Sequence, residues 1–158
     1  MPEGPQRVYW DACVFLSFIE QHPDRFTTIQ TWLEMAENGK VVILTSTLSI
    51  TEVAFARQEK DQRALSPEEE AKIDKLCTPE SPVRLAEFHT GIAFEARRLM
   101  RIAMASKVGL KPADAIHLAT CRTLAIDDFH TYDGKLGKLA GISELTIQEP
   151  LLGQGEFF

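Results

Sequence analysis

A chain of 158 residues with 44% hydrophobic content has the size of one ordinary domain and enough apolar side chains for one sizeable core. Lys and Arg number 17 against 23 Asp and Glu, a formal net charge of −6, so the surface as a whole repels nucleic acid and any polyanionic substrate must be held locally. Cys13, Cys77 and Cys121 are odd in number and lack CxxC or His/Cys zinc spacing, the start MPEGPQRVYW lacks a basic-then-apolar signal pattern, and no apolar run approaches the roughly 20 residues that cross a bilayer; we therefore expect a soluble, cytoplasmic protein with reduced thiols and no membrane contact.

After a Pro/Gly-containing leader, Arg7 to Trp10 reads as a short buried strand ending on Asp11, and helical spacing returns from Val14 to Glu20. Pro23 and Asp24 supply the chemistry of a turn over Gln21 to Phe26. A helix is predicted from about Thr27 to Asn38, stopping at Gly39, a residue suited to the left-handed position beyond a helix end. Lys40 to Leu44 is a β-branched apolar run without polar alternation, the pattern of a strand covered on both faces.

Helical spacing resumes at Ser46 and runs to about Lys60, with Glu52 in its second turn. Arg57 to Pro82 is the most charged part of the chain and reads as a helical excursion on the surface, where Ser66, Pro67 and Glu69 make a capping-box helix start. Val83 to Phe88 has strand character. Thr90 to Lys107 is an amphipathic helix with Arg97, Arg98, Arg101 and Lys107 toward its C-terminal half, and Gly109 is the expected stop. Pro112 opens the next helix, to about Leu124, with Asp114 in its first turn. Phe129 to Tyr132 reads as a strand running into Asp133, and Leu145 to Gln148 as a last strand before a glycine-containing tail.

Strands alternating with helices imply a single α/β domain over residues 1–158: three layers around a central parallel sheet of about five strands. Sites in such sheets form outside the carboxyl ends of the strands. Asp11 follows the first strand, Ser46 and Glu52 the second, and Thr131 and Asp133 the Phe129 strand, so these residues are predicted to converge on one rim; the strand order itself is not readable.

Each acid also has a plain structural reading. Asp11 could cap the following helix, Glu52 could complete a capping box with Ser49, Asp114 could favour a helix dipole, and Asp133 could be a turn residue before Gly134. Together, however, four carboxylates crowded at one rim repel one another and call for a hard divalent cation, Mg²⁺ or Mn²⁺. His117, one turn past Asp114, is expected to be a structural hydrogen-bonding residue, and His22, His89 and His130 show no catalytic spacing. Lys135 and Lys138 lie where they could meet phosphates, with Arg97, Arg98 and Arg101 as a second contact line.

The segments VYWDACVF around Asp11, TSTLSITEVAF around Glu52, LKPADAIHLATC around Asp114 and HTYDGKLGKL around Asp133 resemble the PIN domain family and, within it, the VapC-type ribonuclease toxins. The fit in order and spacing extends from about Arg7 to Gln148, and Lys111 to Cys121 is its most specific part. The resemblance implies metal-coordinating and catalytic roles for Asp11, Glu52, Asp114 and Asp133, with Thr131 as a supporting hydroxyl; Ser46, on the same rim, is read as a second. It further implies an RNA substrate, a Mg²⁺- or Mn²⁺-dependent phosphodiester hydrolysis, a cognate antitoxin and a homodimer. The alternatives are a PIN nuclease of RNA processing and a non-catalytic RNA- or protein-binding domain. An aspartyl-phosphate phosphatase is disfavoured, because Cys13 stands where that chemistry wants a second Asp.

Overall fold

The computed structural model describes residues 4–152; the first leader residues and the end of the glycine-containing tail lie outside the described residues. Five parallel strands, β1 (Gln6–Trp10), β2 (Val41–Ser46), β3 (Val83–Ala86), β4 (Asp128–His130) and β5 (Thr146–Gln148), form one sheet in the order β3-β2-β1-β4-β5. The chain thus starts at the centre, winds outward through β2 and β3, and then crosses back to build β4 and β5 on the other side of β1. The reversal leaves a crevice between the carboxyl ends of β1 and β4, the topological switch point at which open α/β sheets form sites.

Side chains of β1 alternate between two buried faces. Val8 and Trp10 join the core under α1 (Ala12–Ile19), α2 (Phe26–Glu37) and Val53 of α3 (Leu48–Asp61), while Tyr9 joins the core under α5 (Thr90–Ala105) and α6 (Pro112–Thr123). In β2 the same period puts Val41 and Ile43 on the first face and Leu44 on the second. Helices therefore cover both faces of a parallel sheet, the expected three-layer architecture. A 3₁₀ helix (Gly134–Leu139) and α7 (Ala140–Ser143) complete the second layer with Leu136 and Leu139.

Two elements differ from expectation. Helix α2 ends with Gly39 at φ +73° and the Lys40 N–H bonded back to Met35 O, as its sequence suggests. Helix α5 ends the same way two residues before Gly109: Lys107 takes the left-handed conformation at φ +58°, and the Val108 N–H bonds back to Ala103 O. The second difference is the charged excursion. Helix α4 (Pro67–Leu76) starts at the predicted capping box, with the Ser66 Oγ accepting the Glu69 N–H at 3.1 Å and Glu69 Oε1 accepting the Ser66 N–H at 2.9 Å. Yet Ile73 enters the first core, and Arg57 is only 3% exposed. The Arg57 guanidinium donates to Glu20 Oε2 at 3.1 Å and also pairs with Asp61 and Glu69, while Arg63 reaches Glu69 Oε1 at 2.8 Å. The excursion is thereby fastened to α1 and α3 rather than solvated on all sides.

Removing one member of a buried charge cluster leaves its partners uncompensated. Arg57→Ala is expected to lower stability by about 3–5 kcal/mol in urea unfolding. The Arg63 hydrogen bond, helped by the Ser66 amide and Arg57, holds the Glu69 carboxyl down to about 2. A depressed carboxyl stabilises the fold above its ordinary value of about 4.5 and loses that contribution as pH falls toward 2. Melting temperature should fall less steeply over that interval in Glu69→Gln than in the parent, and parallel curves would contradict this assignment.

Candidate active site

Asp11, Glu52, Asp114 and Asp133 all line one open cleft of about 560 Å³ at the carboxyl rim of the sheet, together with His117, Phe55, Lys111, Lys135 and Lys138. Three of the acids stand at N-terminal ends: Asp11 caps α1, Asp114 lies in the first turn of α6, and Asp133 caps the 3₁₀ helix. Positive ends of helix dipoles therefore face the cleft.

The plain readings of Asp11 and Asp133 are both realised without removing either residue from the cleft. Asp11 Oδ1 accepts the Cys13 N–H at 3.2 Å and the Cys13 thiol at 2.8 Å, and Oδ2 accepts the Thr131 hydroxyl at 2.6 Å. Burial raises its carboxyl, and the Cys13 and Thr131 hydrogen bonds oppose that rise. Burial and the neighbouring Asp11 in turn push the Cys13 thiol up, so it remains a donor. Thr131 Oγ1 also accepts the Asp133 N–H at 3.0 Å, and Asp133 Oδ1 accepts the Lys135 N–H at 3.0 Å. Thr131 is buried behind Asp11, and through these bonds it links the ends of β1 and β4.

Glu52 makes no capping box. The cap residue of α3 is Thr47, and the Ser49 hydroxyl bonds instead to that of Thr45 at 2.7 Å. Glu52 Oε1 meets His117 Nε2, and His117 Nδ1 meets the hydroxyl of Tyr9 in the second core. Ser46 does not line the cleft. It is fully buried, its Oγ accepts the Leu48 N–H at 3.1 Å, and its N–H donates to Tyr9 Oη at 3.1 Å.

Asp114, half-buried, has no hydrogen-bond partner among the described residues. Desolvation raises its carboxyl, the charges of Glu52 and Asp133 raise it further, and His117 and Lys111 only partly offset them. Arg97 lies over the Phe94 ring and Arg98 pairs with Glu95 at 2.6 Å; neither lines the cleft, and nor does Arg101. Tyr9, Lys111 and Phe55 carry no sequence-based assignment, and Cys13 reads from the sequence only as a reduced thiol. The one available signal was a polar-tipped Tyr two residues before an acid at a strand end.

Among the described residues, no three His, Cys, Asp or Glu side chains are grouped tightly enough to enclose one ion as they stand. The donor set nevertheless suits a hard cation: every acid presents oxygen, and Mg²⁺ keeps several waters and needs only one or two carboxylates. Asp114 is the acid that favours such an ion: its carboxylate shares the cleft with Glu52 and Asp133, and no side-chain donor answers it among the described residues.

A doubly wound parallel domain with acids gathered at its switch point belongs to the Rossmann-like class of α/β proteins. The PIN domain family profile matches residues 8–142, and the chain belongs to that family. A search of curated proteins found no match. Among solved structures, VapBC2 from Rickettsia felis, bound to a promoter DNA fragment, is similar at a TM-score of 0.68 and 15% identity, over 91% of this chain and 98% of that one. VapC20 from Mycobacterium tuberculosis, described as a Sarcin-Ricin loop cleaving toxin, gives 0.61 at 14% identity over 83% and 93%. FitAcB from Neisseria gonorrhoeae gives 0.63 at 15% over 90% and 97%. At such identities the likeness shows the fold alone. No helix among the described residues is long and apolar enough to cross a membrane.

The raised carboxyl has a thermodynamic consequence. A group that prefers its neutral form when folded costs stability once pH rises through its unfolded value of about 3.9. Asp114→Asn is therefore expected to melt higher than the parent at pH 7 in EDTA, an advantage that disappears below about pH 4. Differential scanning calorimetry at both pH values measures it, and an Asn variant that melts lower at pH 7 would contradict the raised carboxyl.

Proposed function

We propose that this protein is a metal-dependent endoribonuclease that hydrolyses RNA phosphodiester bonds, and that it acts as the toxin of a type II toxin–antitoxin pair. The observation that carries the reading is the cleft itself: four carboxylates of a PIN domain facing one space. The similar folds add support, since one is described as a cleaving toxin and another, from Klebsiella pneumoniae, as a toxin-antitoxin complex. A cognate antitoxin that places an Arg or Lys among the acids, and a homodimeric assembly, belong to the same reading.

Asp11, Glu52, Asp114 and Asp133 are the residues that would hold Mg²⁺ or Mn²⁺, which when bound supplies an activated water and stabilises the leaving oxygen. The chain's own side chains divide the remaining work. Asp11 and Asp133 are fixed by hydrogen bonds from Thr131, Cys13 and the Lys135 amide, so they provide orientation. Glu52 is already engaged by His117, which leaves Asp114, free of hydrogen bonds and partly desolvated, best suited to take a proton from the attacking water. Lys135 and Lys138 provide local positive charge for phosphates on an otherwise acidic protein.

Asp11→Asn, Glu52→Gln, Asp114→Asn and Asp133→Asn are each expected to reduce cleavage of single-stranded RNA by roughly 100-fold or more at saturating Mn²⁺ while remaining folded. Near-parental cleavage by any two would overturn the assignment, and metal binding without any cleavage by the parent protein would favour a non-catalytic binding domain. Lys135→Ala with Lys138→Ala should weaken RNA binding and flatten its log–log salt dependence by about 0.7 per lysine for a single strand; an unchanged slope would remove both lysines from the phosphate path.

A further inference from the structure

Tyr9, His117 and Glu52 form an unbroken line from the second core to the cleft, and its proton positions follow from counting donors and acceptors. Tyr9 Oη accepts the Ser46 N–H at 3.1 Å, which takes up one of its lone pairs. Its own proton then needs a partner, because Tyr9 is fully buried and a buried hydroxyl without an acceptor is costly. Among the described residues the remaining polar neighbour of Tyr9 Oη is His117 Nδ1. If Nδ1 carried a proton, it would donate to Tyr9 Oη and the phenol proton would be left without a buried acceptor among the described residues. Nδ1 must therefore be the acceptor, which leaves the single imidazole proton on Nε2, the atom facing Glu52 Oε1.

We propose that Tyr9 and His117 are positioning residues for Glu52: the Ser46 amide orients the Tyr9 hydroxyl, Tyr9 locks His117 in its Nε2–H tautomer, and His117 holds the Glu52 carboxylate aimed into the cleft. His117 is 2% exposed and Ser46 and Tyr9 are fully buried, so the line is built on the sheet and α6 and does not depend on a mobile surface group. Ser46 thus serves the cleft through its backbone, not through its hydroxyl. His117, for its part, exceeds the plain structural role its spacing suggests. The inference rests on the nuclease reading of the cleft for its consequence, but the tautomer itself does not.

The test uses the full-length, ¹⁵N-labelled chain without metal. Long-range ¹H–¹⁵N correlation spectra should show His117 protonated at Nε2 alone in the parent protein and in Glu52→Ala, because Tyr9 sets the tautomer; in Tyr9→Phe the assignment should change to a mixture or to Nδ1–H. Calorimetric Mn²⁺ titration should show affinity weakened about tenfold or more in Tyr9→Phe, the range typical of removing an outer partner of a ligand. His117 protonated at Nδ1 in the parent, or Glu52→Ala shifting the tautomer, overturns the proposal without needing the Tyr9 variant to fold. A folded Tyr9→Phe with unchanged Mn²⁺ affinity overturns the link to Glu52. Failure of the parent protein to bind Mn²⁺ would instead refute the nuclease reading, with the tautomer spectra still deciding the relay.

Discussion

The gathering of four carboxylates at the carboxyl rim of the sheet is the constraint to which the rest of this structure answers. Parallel strands finish together, so residues that follow β1 and β4 are neighbours, and the reversal of strand order at β1 opens the space into which they point. The acids are tolerated there partly because Asp11, Asp114 and Asp133 occupy N-terminal ends of α1, α6 and the 3₁₀ helix, where peptide dipoles favour negative charge by about 0.3–1 kcal/mol each. Burial raises the Asp114 carboxyl nonetheless, and the like charges of Glu52 and Asp133 add to the rise.

The four residues are not held alike. Asp11 is fixed by the Cys13 amide and thiol and the Thr131 hydroxyl, Asp133 by the Lys135 amide, and Glu52 by His117. Thr131 matters beyond its own bond, since a single hydroxyl donates to Asp11 and accepts from the Asp133 amide, coupling two acids across the β1–β4 gap. Asp114 alone is left without a donor among the described residues. Preorganised neighbours around one uncommitted base is a division that suits water activation.

Much of this was legible in the sequence wherever the signal is local. Period-2 and helical spacing located the strands and helices, and Ser66, Pro67 and Glu69 announced the start of α4. The rim placement of Asp11, Glu52 and Asp133 followed from their positions after strands, whatever the strand order. What stayed hidden depends on long-range pairing. Tyr9 and His117 are 108 residues apart, and Arg57 meets Glu20 across 37. Nothing in the spacing of Arg57 distinguishes a buried hub from a solvated cation. The end of α5 was hidden for another reason: Lys107 adopts a left-handed conformation that local propensity assigns to glycine, because packing of the helix ahead of it decides where the chain must turn.

The chain contains two dense groups of acids, and their opposite treatment separates structure from chemistry. Around α4, Glu20, Asp61 and Glu69 surround Arg57, with Arg63 and Lys60 outside them, and Glu69 is held far below the ordinary carboxylate range. Those acids are consumed by the fold: their charge is answered within the chain, and they have little left to offer a ligand. In the cleft, Lys111, Lys135 and Lys138 stand near enough to line the same space, yet they form no ion pair with the acids, and Asp114 is driven upward where Glu69 is driven down. A protein that neutralises Glu69 with two guanidiniums leaves Asp114 without a side-chain ion pair at the switch point of its sheet, among the described residues. The contrast separates acids that the fold has paired from acids that it leaves facing an open cleft.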